Sequence, residues 1–301
     1  MKALVTGGAG FIGSHLTEAL CLNGAEVHVV DNLSSGIRDH VHPAARLHVA
    51  DITHDSISSV IQTIKPDIVF HMAAQADVQS SILDPAHDSN TNVVGTLRLL
   101  EACKRSDVRK LIFSSTSAVY GEVNSLRKQE NMAPSPISFY GLSKETAERS
   151  LYLYHRLRRL RFTILRYSNV FGPRQCSHGE GGVISVFLSK LKRGLPLTIH
   201  GTGEQTRDFI YVRDVVEANL AAVGRGDGET INVSSGLRTS INQLVSLLEG
   251  IHGPDLRVEY DLARPGDIMD SCLDNGNAER LLDWRPQVSL MEGLEETYRS
   301  F

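Results

Sequence analysis

The chain has 301 residues, 41% of them hydrophobic and 22% charged, which suits one large α/β domain or such a domain with a smaller companion. Its formal charge of −4 gives no reason to expect nucleic acid or an anionic membrane as a partner, and no stretch approaches the roughly 20 apolar residues of a membrane span. The cysteines are scattered without a Cys-x-x-Cys pair, and the first residues lack the pattern of a signal peptide. We therefore expect a cytoplasmic protein with reduced thiols.

The first residues of the chain predict a strand, a glycine turn and a helix. Lys2–Thr6 is a short apolar run that is typical of a buried parallel strand. An amphipathic helix is predicted from His15 to Leu22. A glycine turn between a strand and a helix also occurs without any ligand, so this segment alone does not assign a site.

The glycine spacing nevertheless suits a backbone that holds a pyrophosphate. Gly7 would make the tight turn, Gly10 would let the backbone approach the phosphates, and Gly13 would let the helix pack close to the strand. Open amides at the start of the helix would then face the phosphates. The candidate cofactor residues of this turn are Gly7, Gly10, Phe11, Ile12 and Gly13.

The second predicted strand, Glu26–Val30, leads into an acidic residue, Asp31, eighteen residues after Gly13. A carboxylate near this distance accepts hydrogen bonds from the ribose hydroxyls of adenosine and repels a 2′-phosphate. The pattern therefore favours NAD over NADP, and we assign the neighbouring Asn32 to the same site. Arg38 lies close by in sequence and keeps NADP open as an alternative.

Strands and helices continue to alternate along the following part of the chain. The further predicted strands are Arg46–Ala50, Asp67–His71, Lys110–Ser114 and Arg161–Leu165, and the predicted helices are Asp55–Ile64, 88–105 and 138–158. Parallel strands need crossover helices, so this alternation predicts a doubly wound parallel sheet, the Rossmann fold. Ligands in such sheets bind beyond the carboxyl ends of the strands, which is where we look for chemistry.

Two of these strand ends suit a dinucleotide. Asp51 and Ile52 follow the third strand and offer a carboxylate and an apolar side chain for the edge and face of an adenine. Ala73 and Ala74 follow the fourth strand, and their small size would let the chain pass close to the cofactor. No partner ligands stand at a recognisable spacing from His71, so we expect no metal site there.

The fifth strand ends in a run of hydroxyl residues that includes Thr116, and a tyrosine–lysine pair follows on the next helix. Hydroxyls at a strand end more often cap a turn than take part in catalysis. Tyr140 and Lys144, however, are four apart and share one helix face. A free tyrosine has a pKa near 10, and lowering it to about 7 needs roughly 4 kcal/mol, which the lysine ammonium and an oxidised nicotinamide could supply.

These motifs resemble those of the extended short-chain dehydrogenase/reductases, specifically the NAD-dependent nucleotide-sugar epimerase/dehydratase family, and within it the UDP-glucose 4-epimerases. The resemblance covers nearly the whole chain. It rests on segments 6–13, 31, 51–52, 71–74, 114–121, 140–144, 166–174, 203–211 and 264–267. It implies a Rossmann fold with a smaller C-terminal α/β cap that binds the substrate.

The resemblance implies 4-epimerisation of a UDP-hexose through a transient 4-keto sugar, with NAD regenerated in each turnover. Tyr140 would be the base for the 4-hydroxyl, Lys144 would hold the nicotinamide ribose, and Thr116 would steady the 4-oxygen. Asn169 would contact the substrate diphosphate in this picture. Arg207 and Arg264 would bind the same diphosphate, since a guanidinium donates to two oxygens at once.

The resemblance also carries an expectation about the sugar. The position that gates the C2 substituent aligns with Ser271, or with Cys272 if the alignment shifts by one. Both side chains are small, so we predict that UDP-GlcNAc and UDP-GalNAc are accepted alongside UDP-Glc and UDP-Gal. The preferred UDP-sugar and the pathway are not determined by the sequence.

Two other functions are weighed against epimerisation. A dehydratase or decarboxylase of the same family is one, but dehydratases carry an Asp-Glu pair after the hydroxyl residue, where this chain has Ser117 and Ala118. A non-catalytic NAD-binding sensor is the other; such proteins usually lose the tyrosine or the lysine, and Tyr140 and Lys144 are both present.

The resemblance further predicts the domain boundaries and the assembly. The NAD-binding domain would span 1–168, with 212–235 returning to it, and the cap would comprise 169–211 and 236–301. Helices are expected at Val183–Arg193 and Ile241–Glu249, and 274–286 is expected to be the final helix and turn. A homodimer would form through the helices near 88–105 and 138–158.

Overall fold

The computed structural model describes residues 1–122, 125, 127–176, 182–263 and 269–301. Within these ranges the strands are β1 (Lys2–Thr6), β2 (Glu26–Asp31), β3 (Arg46–Val49), β4 (Ile68–His71), β5 (Lys110–Thr116), β6 (Arg161–Tyr167), β7 (Asn169–Phe171), β8 (Leu197–His200), β9 (Thr206–Arg207), β10 (Phe209–Tyr211), β11 (Glu229–Val233), β12 (Thr239–Ser240) and β13 (Val258–Asp261). The α-helices are α1 (Phe11–Leu22), α2 (Ser56–Ile64), α3 (Val78–Leu83), α4 (Pro85–Ser89), α5 (Thr96–Arg105), α6 (Phe139–Arg158), α7 (Val183–Lys192), α8 (Val212–Ala221), α9 (Ile241–His252), α10 (Gly276–Leu282) and α11 (Leu290–Ser300). No helix in the described ranges has both the length and the apolarity needed to cross a membrane.

Seven of the strands form one parallel sheet in the order β11-β6-β5-β4-β1-β2-β3. From β1 the chain first builds outward through β2 and β3, and then continues on the opposite side through β4, β5 and β6. The strand order therefore reverses beside β1, and this reversal opens a crevice at the carboxyl ends of β1 and β4. The predicted doubly wound parallel sheet is confirmed.

Both faces of this sheet are covered by helices because its central strands are apolar on both sides. One core packs α1, α8 and α10 against the sheet, with Leu16, Leu20 and Val215 fully or almost fully buried. The other core packs α2, α5 and α6 against the opposite face. Trp284 lies in the first core, and its Nε1 donates to the carbonyl of Asp214 at 3.0 Å.

The first helix begins earlier than the sequence analysis placed it. It starts at Phe11 rather than at His15, with Gly10 as its N-cap residue. The sequence analysis assigned all residues up to Gly13 to the turn. In the structure Gly13 lies inside the first turn of the helix. The earlier start matters because it brings the helical amides of residues 11–13 directly behind the glycine turn.

The helix expected over 88–105 is interrupted. Helix α4 starts at Pro85, with Asp84 as its N-cap, and a π-helical segment, Asn90–Gly95, separates it from α5. The π segment inserts an extra residue into one turn, which a search for a 3.6-residue period does not detect. The sequence analysis also missed the short helix α3.

The smaller, C-terminal part of the protein has its own core, formed by α7, α9 and α11 with short strand pairs. The prediction that 274–286 forms the final helix and turn is wrong. Helix α10 is shorter than this range, and a further helix, α11, follows it. The signal for α11 is a capping box between Ser289 and Glu292, in which each side chain bonds the other's backbone amide. Between these parts, α8 and β11 return to the large sheet.

Candidate active site

The glycine turn after β1 is too tightly packed to accept side chains. Gly7 has φ +68°, a conformation that favours glycine. A Cβ on Gly7 would lie 2.7 Å from the backbone nitrogen of Ala73, and a Cβ on Gly13 would lie 2.1 Å from the carbonyl oxygen of Gly7. The glycine at 13 therefore lets α1 pack against the turn itself, which refines the expectation that it packs against the strand.

A cleft opens at the reversal of strand order, and it brings together every residue that the sequence analysis assigned to the cofactor. These residues are Gly7, Gly10, Phe11, Ile12, Gly13, Asp31, Asn32, Asp51, Ile52, Ala73, Ala74, Tyr140 and Lys144. Among the described residues, no side chain caps the first turn of α1, so its amides remain available to an anion in the cleft. A glycine cradle and open helical amides in this cleft fit a dinucleotide pyrophosphate.

Two carboxylates lie at the end of the cleft away from Tyr140. Asp31 accepts hydrogen bonds from the amides of Ala9 at 2.9 Å and Leu33 at 2.8 Å. Asp51 accepts from Thr53, through both amide and hydroxyl, and from the Asn32 side chain. Burial alone would raise the pKa of Asp51, but these hydrogen bonds together hold it below its ordinary value.

A negative charge at this end of the cleft disfavours a 2′-phosphate. Arg38, which kept NADP open in the sequence analysis, lies exposed in a 3₁₀ turn and is not one of the residues that line the cleft. The cleft therefore fits the adenosine of NAD better than that of NADP.

His71, at the end of β4, is fully buried beneath the cleft. Thr96 donates its hydroxyl hydrogen to the carbonyl of Asn92, so it accepts from His71 Nε2–H at 2.9 Å, and Thr6 donates to Nδ1 at 2.8 Å. Burial, and then the charge of Lys144, lower the pKa of His71 to about 3. The imidazole is therefore neutral and adds no second positive charge beside Lys144.

Helix α6 carries the tyrosine–lysine pair and starts at the mouth of the cleft. Ser138 caps it by accepting the amide hydrogen of Gly141 at 3.1 Å. A Cβ on Gly141 would lie 2.7 Å from the carbonyl oxygen of Ala118, so the helix start packs directly on the turn after β5. This close approach places Tyr140 near the end of the strand that carries Thr116. Lys144 is 3% exposed and lines the cleft with Tyr140.

Thr116 closes β5 and also caps the turn that follows it. Its Oγ1 accepts the amide hydrogen of Ala118 at 3.1 Å, at the start of the 3₁₀ helix Ser117–Tyr120. Turn capping and a catalytic role are compatible here, because the hydroxyl still has its own hydrogen to donate. Thr116 is not one of the residues that line the cofactor cleft.

Three of the residues predicted to bind substrate lie around one buried carboxylate that the sequence analysis missed, Asp208. Asn169 donates both its amide and its side-chain Nδ2 to the Asp208 carbonyl. Arg207 precedes Asp208, and the Ser271 amide donates to the neighbouring Thr206 carbonyl at 3.2 Å. Arg264, which was also predicted to bind the diphosphate, lies outside the described residues.

The Asp208 side chain fixes this group of segments. Its oxygens accept from Ser168, from Ser235, from the amides of Gly236 and Leu273, and from the thiol of Cys272 at 3.6 Å. The residue is 0% exposed. No sequence spacing signals these contacts, because the partners come from separate segments. Ser271 and Cys272 are both buried next to this group, at 7% and 3% exposure.

The cleft also includes residues that the sequence analysis did not select. They are Val30, Ser34, Ser35, Gly36, Ala50, Met72, Ala76, Thr91, Ser114, Ser115 and Tyr167. The run Ser34–Gly36 was detectable, since a polar glycine-containing loop directly after the acidic end of a second strand covers the adenosine end of such a cleft. Thr91 was not detectable, because it lies in the π-helical segment that the sequence analysis did not predict.

Comparison with known proteins identifies the family to which this fold and cleft belong. A family model described as the NAD dependent epimerase/dehydratase family matches residues 3–234. A putative UDP-glucose 4-epimerase of Methanocaldococcus jannaschii is 41% identical over 293 residues, covering 97% of this chain and 95% of that protein.

Two solved structures are similar over the whole chain. A UDP-glucose 4-epimerase of Thermotoga maritima, crystallised with UDP-glucose, has a TM-score of 0.98 and 44% identity, covering 100% of this chain and 98% of that one. A UDP-glucose 4-epimerase of Thermus thermophilus in complex with NAD has a TM-score of 0.95 and 38% identity, with the same coverage.

Proposed function

The chain belongs to the NAD-dependent epimerase/dehydratase family, and we propose that it catalyses the 4-epimerisation of a UDP-hexose, interconverting UDP-glucose and UDP-galactose. The observation that carries this proposal is the convergence of Tyr140, Lys144, the glycine turn and Asp31 on one cleft. The similarity to epimerases in both sequence and structure supports it.

NAD, when bound, supplies the reversible two-electron oxidation of the sugar carbon C4. The chain's residues hold it through the amides of α1 at the pyrophosphate and through Asp31 at the adenosine ribose. Lys144 holds the nicotinamide ribose, and its ammonium favours the ionised form of Tyr140. NAD is not consumed, so tight binding of the cofactor does not slow turnover.

The proton at the 4-oxygen is handled by Tyr140. Its phenolate oxygen removes the proton of the 4-hydroxyl while Thr116 donates a hydrogen bond to the same oxygen. The 4-keto sugar then turns its other face to the cleft, and the Tyr140 phenol returns the proton. The two proton transfers balance, so the site needs no external acid or base.

Turning requires a sugar that is held loosely and a nucleotide that is held tightly. Arg207 and Arg264 bind the diphosphate, with Asn169 as a further contact, because forked guanidinium donors match phosphate oxygens. The proximity of Asn169 and Arg207 to Asp208 supports a shared anchor. The uridine assignment follows the UDP-glucose of the Thermotoga relative.

The acceptance of UDP-GlcNAc and UDP-GalNAc is part of the proposal. Ser271 is small, and so is its neighbour Cys272, so either would obstruct an N-acetyl group at C2 of the sugar less than a tyrosine would. Both lie on the segment that bonds to Thr206 and Asp208, beside Arg207.

The assembly, domain boundaries and location are also proposals. The outward faces of α5 and α6 carry the exposed apolar residues Leu97, Leu153 and Leu157, which support a homodimer through segments 88–105 and 138–158. The NAD-binding domain is 1–168 with 212–235, and the cap is 169–211 with 236–301. Four free cysteines agree with a reducing cytoplasm.

The experiment that tests the proposed function supplies purified protein with UDP-glucose or UDP-galactose and no added electron acceptor. We expect both reactions to reach the same mixture by NMR, with no loss of water or carbon dioxide. A 4-keto-6-deoxy product would favour a dehydratase, although the turn after Thr116 carries Ser117 and Ala118 in place of acids. Bound NAD without turnover of any UDP-sugar would favour a sensor and defeat the proposal.

A further inference from the structure

One buried carboxylate ties the helix of the tyrosine–lysine pair to two strands of the sheet. Glu148 lies on α6, one turn after Lys144 and two turns after Tyr140, so the three share a helix face. Its Oε1 accepts from Ser115 Oγ at 2.5 Å and from Arg166 Nε at 2.9 Å, and its Oε2 accepts from Arg166 at 2.6 Å. All of its partners are buried, and Glu148 itself is 3% exposed.

The two partners of Glu148 lie side by side. Ser115 of β5 and Arg166 of β6 are register partners in the parallel sheet. Their side chains therefore reach the same carboxylate from neighbouring strands. Ser115 also precedes Thr116 directly and lines the cofactor cleft. The carboxylate thus joins the helix that carries Tyr140 to the strand end that carries Thr116.

The contact continues to the other side of Thr116. The Arg166 guanidinium lies over the ring of Tyr120, 4.7 Å from its centroid. Tyr120 ends the turn that Thr116 caps, and its hydroxyl donates to Asn232 of β11 at 2.7 Å. Burial alone would lower the pKa of Arg166, but its bonds to Glu148 raise it, so the guanidinium keeps its charge.

We infer that the Glu148–Arg166 ion pair is the positioning device of the active site, setting the distance between the phenol of Tyr140 and the hydroxyl of Thr116. The inference rests on the proposed roles of Tyr140, Lys144 and Thr116. Neither Glu148 nor Arg166 is among the residues that line the cleft, so both act through others. A buried pair is weak evidence for stability, because well-packed apolar residues of similar size often replace such pairs without loss. A role in positioning accounts for the buried charges, because a two-point contact between Arg166 and Glu148 fixes the orientation of α6 relative to β6.

The decisive variant is the double substitution Glu148→Met with Arg166→Met, which removes both charges and keeps the volume. We expect it to fold and retain NAD, with KM for the UDP-sugar within about twofold and kcat lowered at least about 10-fold by misplacement. Because α6 would no longer be fixed against β5 and β6, Tyr140 and Lys144 should shift away from the strand ends and the positive ring of the oxidised cofactor. The acidic limb of the kcat profile should therefore move upward, by about one pH unit.

A second measurement does not depend on epimerase activity. The ionisation of Tyr140 is followed as tyrosinate absorbance, taken as the difference between each protein and its Tyr140→Phe counterpart. We expect the midpoint to rise in the double variant. If the wild type fails to epimerise any UDP-sugar, the proposed function fails, while this titration still decides the positioning role.

Two further variants complete the test. Ser115→Ala removes only the link between Glu148 and β5, and it should lower kcat about threefold and shift the titration in the same direction. It decides the matter if the double variant does not fold. The matched control is Arg161→Met, at the far end of the same strand β6, where the guanidinium forms an exposed ion pair with Asp227. Wild-type kcat and Tyr140 titration in the double variant, or in Ser115→Ala if the double variant does not fold, would overturn the inference.

Discussion

The ammonium of Lys144 lies over the ring of Phe113, with Nζ 4.6 Å from the ring centroid. The ring face attracts the cation, an interaction worth about 0.5–2 kcal/mol. The aromatic ring thus helps to keep a buried lysine charged at the point where the proposed mechanism needs the charge.

Replacing Phe113 with leucine should therefore lower kcat by about 3- to 10-fold, with a smaller effect on KM for the UDP-sugar. Measured initial rates at saturating substrate check this. Phe162→Leu is the control, because Phe162 is equally buried but packs against Tyr152 and His155 on the far part of the sheet. Equal losses in both variants would attribute the effect to packing alone.

Removing the proposed base should abolish turnover and leave the cofactor in place. Tyr140→Phe should lower kcat by about 10²- to 10⁴-fold, the usual contribution of a positioned proton-transfer group. NAD content, measured after denaturation of the purified protein, should match the wild type. Thr116→Val should cost less, because the 4-oxygen loses one hydrogen bond but keeps its base. Undiminished turnover of Tyr140→Phe would contradict the mechanism.

The stability of the protein should fall in acid because of His71. Its pKa is about 3 in the folded protein and near 6.5 when unfolded, so the unfolded chain binds the proton first as the pH falls. The stability that a neutral His71 provides is complete above about pH 6.5. It is lost progressively as the pH falls toward 3, at about 1.4 kcal/mol per pH unit.

Urea unfolding at several pH values tests this. His71→Gln should flatten the dependence of the free energy of unfolding on pH between about 6.5 and 4. His54→Gln is the control, since His54 is exposed, and it should leave the slope unchanged. An unchanged slope in His71→Gln would mean that this imidazole is not the buried neutral group described above.

The sugar range should depend on residue 271. Ser271→Tyr should weaken turnover of UDP-GlcNAc and UDP-GalNAc selectively, because a tyrosine would fill the space for the N-acetyl group. Ser271→Ala controls for the loss of the hydroxyl and should retain both substrate pairs. kcat/KM for acetylated and non-acetylated sugars gives the answer, and turnover restricted to the non-acetylated pair in the wild type would refute the prediction.

The same substitution, glycine to alanine, should have opposite effects in the glycine turn and in helix α9. Gly13→Ala should destabilise the protein and abolish NAD retention, because the new methyl would meet the Gly7 carbonyl oxygen. Gly250→Ala, in α9, meets nothing within 4 Å and should stabilise the helix by about 0.5–1 kcal/mol. Thermal melting with and without added NAD distinguishes the two effects.

The cofactor cleft could be predicted from the sequence because its residues follow strands. Strand ends of a parallel sheet meet at one edge, so Asp31, Asp51 and Ala73 converge whatever the loops between them do. The proposed substrate site could not be predicted in the same way. Asp208 gathers segments around residues 168, 235 and 272, and no local period or spacing records such long-range contacts.

Glu148 and Arg166 illustrate the same limit. A glutamate on a helix and an arginine on a strand usually face solvent, and nothing near them in sequence indicates burial. Only the register of β5 with β6 reveals that both Arg166 and Ser115 reach Glu148. The helix interruption at Asn90–Gly95 was missed because it breaks the period on which helix prediction depends.

The return of β11 to the edge of the large sheet ties the two parts of the polypeptide into one folding unit. A fragment that stopped at Ser168 would leave β6 as an open edge with unpaired amides, a template for aggregation. Such a fragment would also lack the partners of Lys110. This side chain is 2% exposed and bonds to Asp227 and to the carbonyls of Ala222 and Arg225. A single crossover at residue 168 between relatives would therefore exchange the edge of the large sheet together with the smaller C-terminal part.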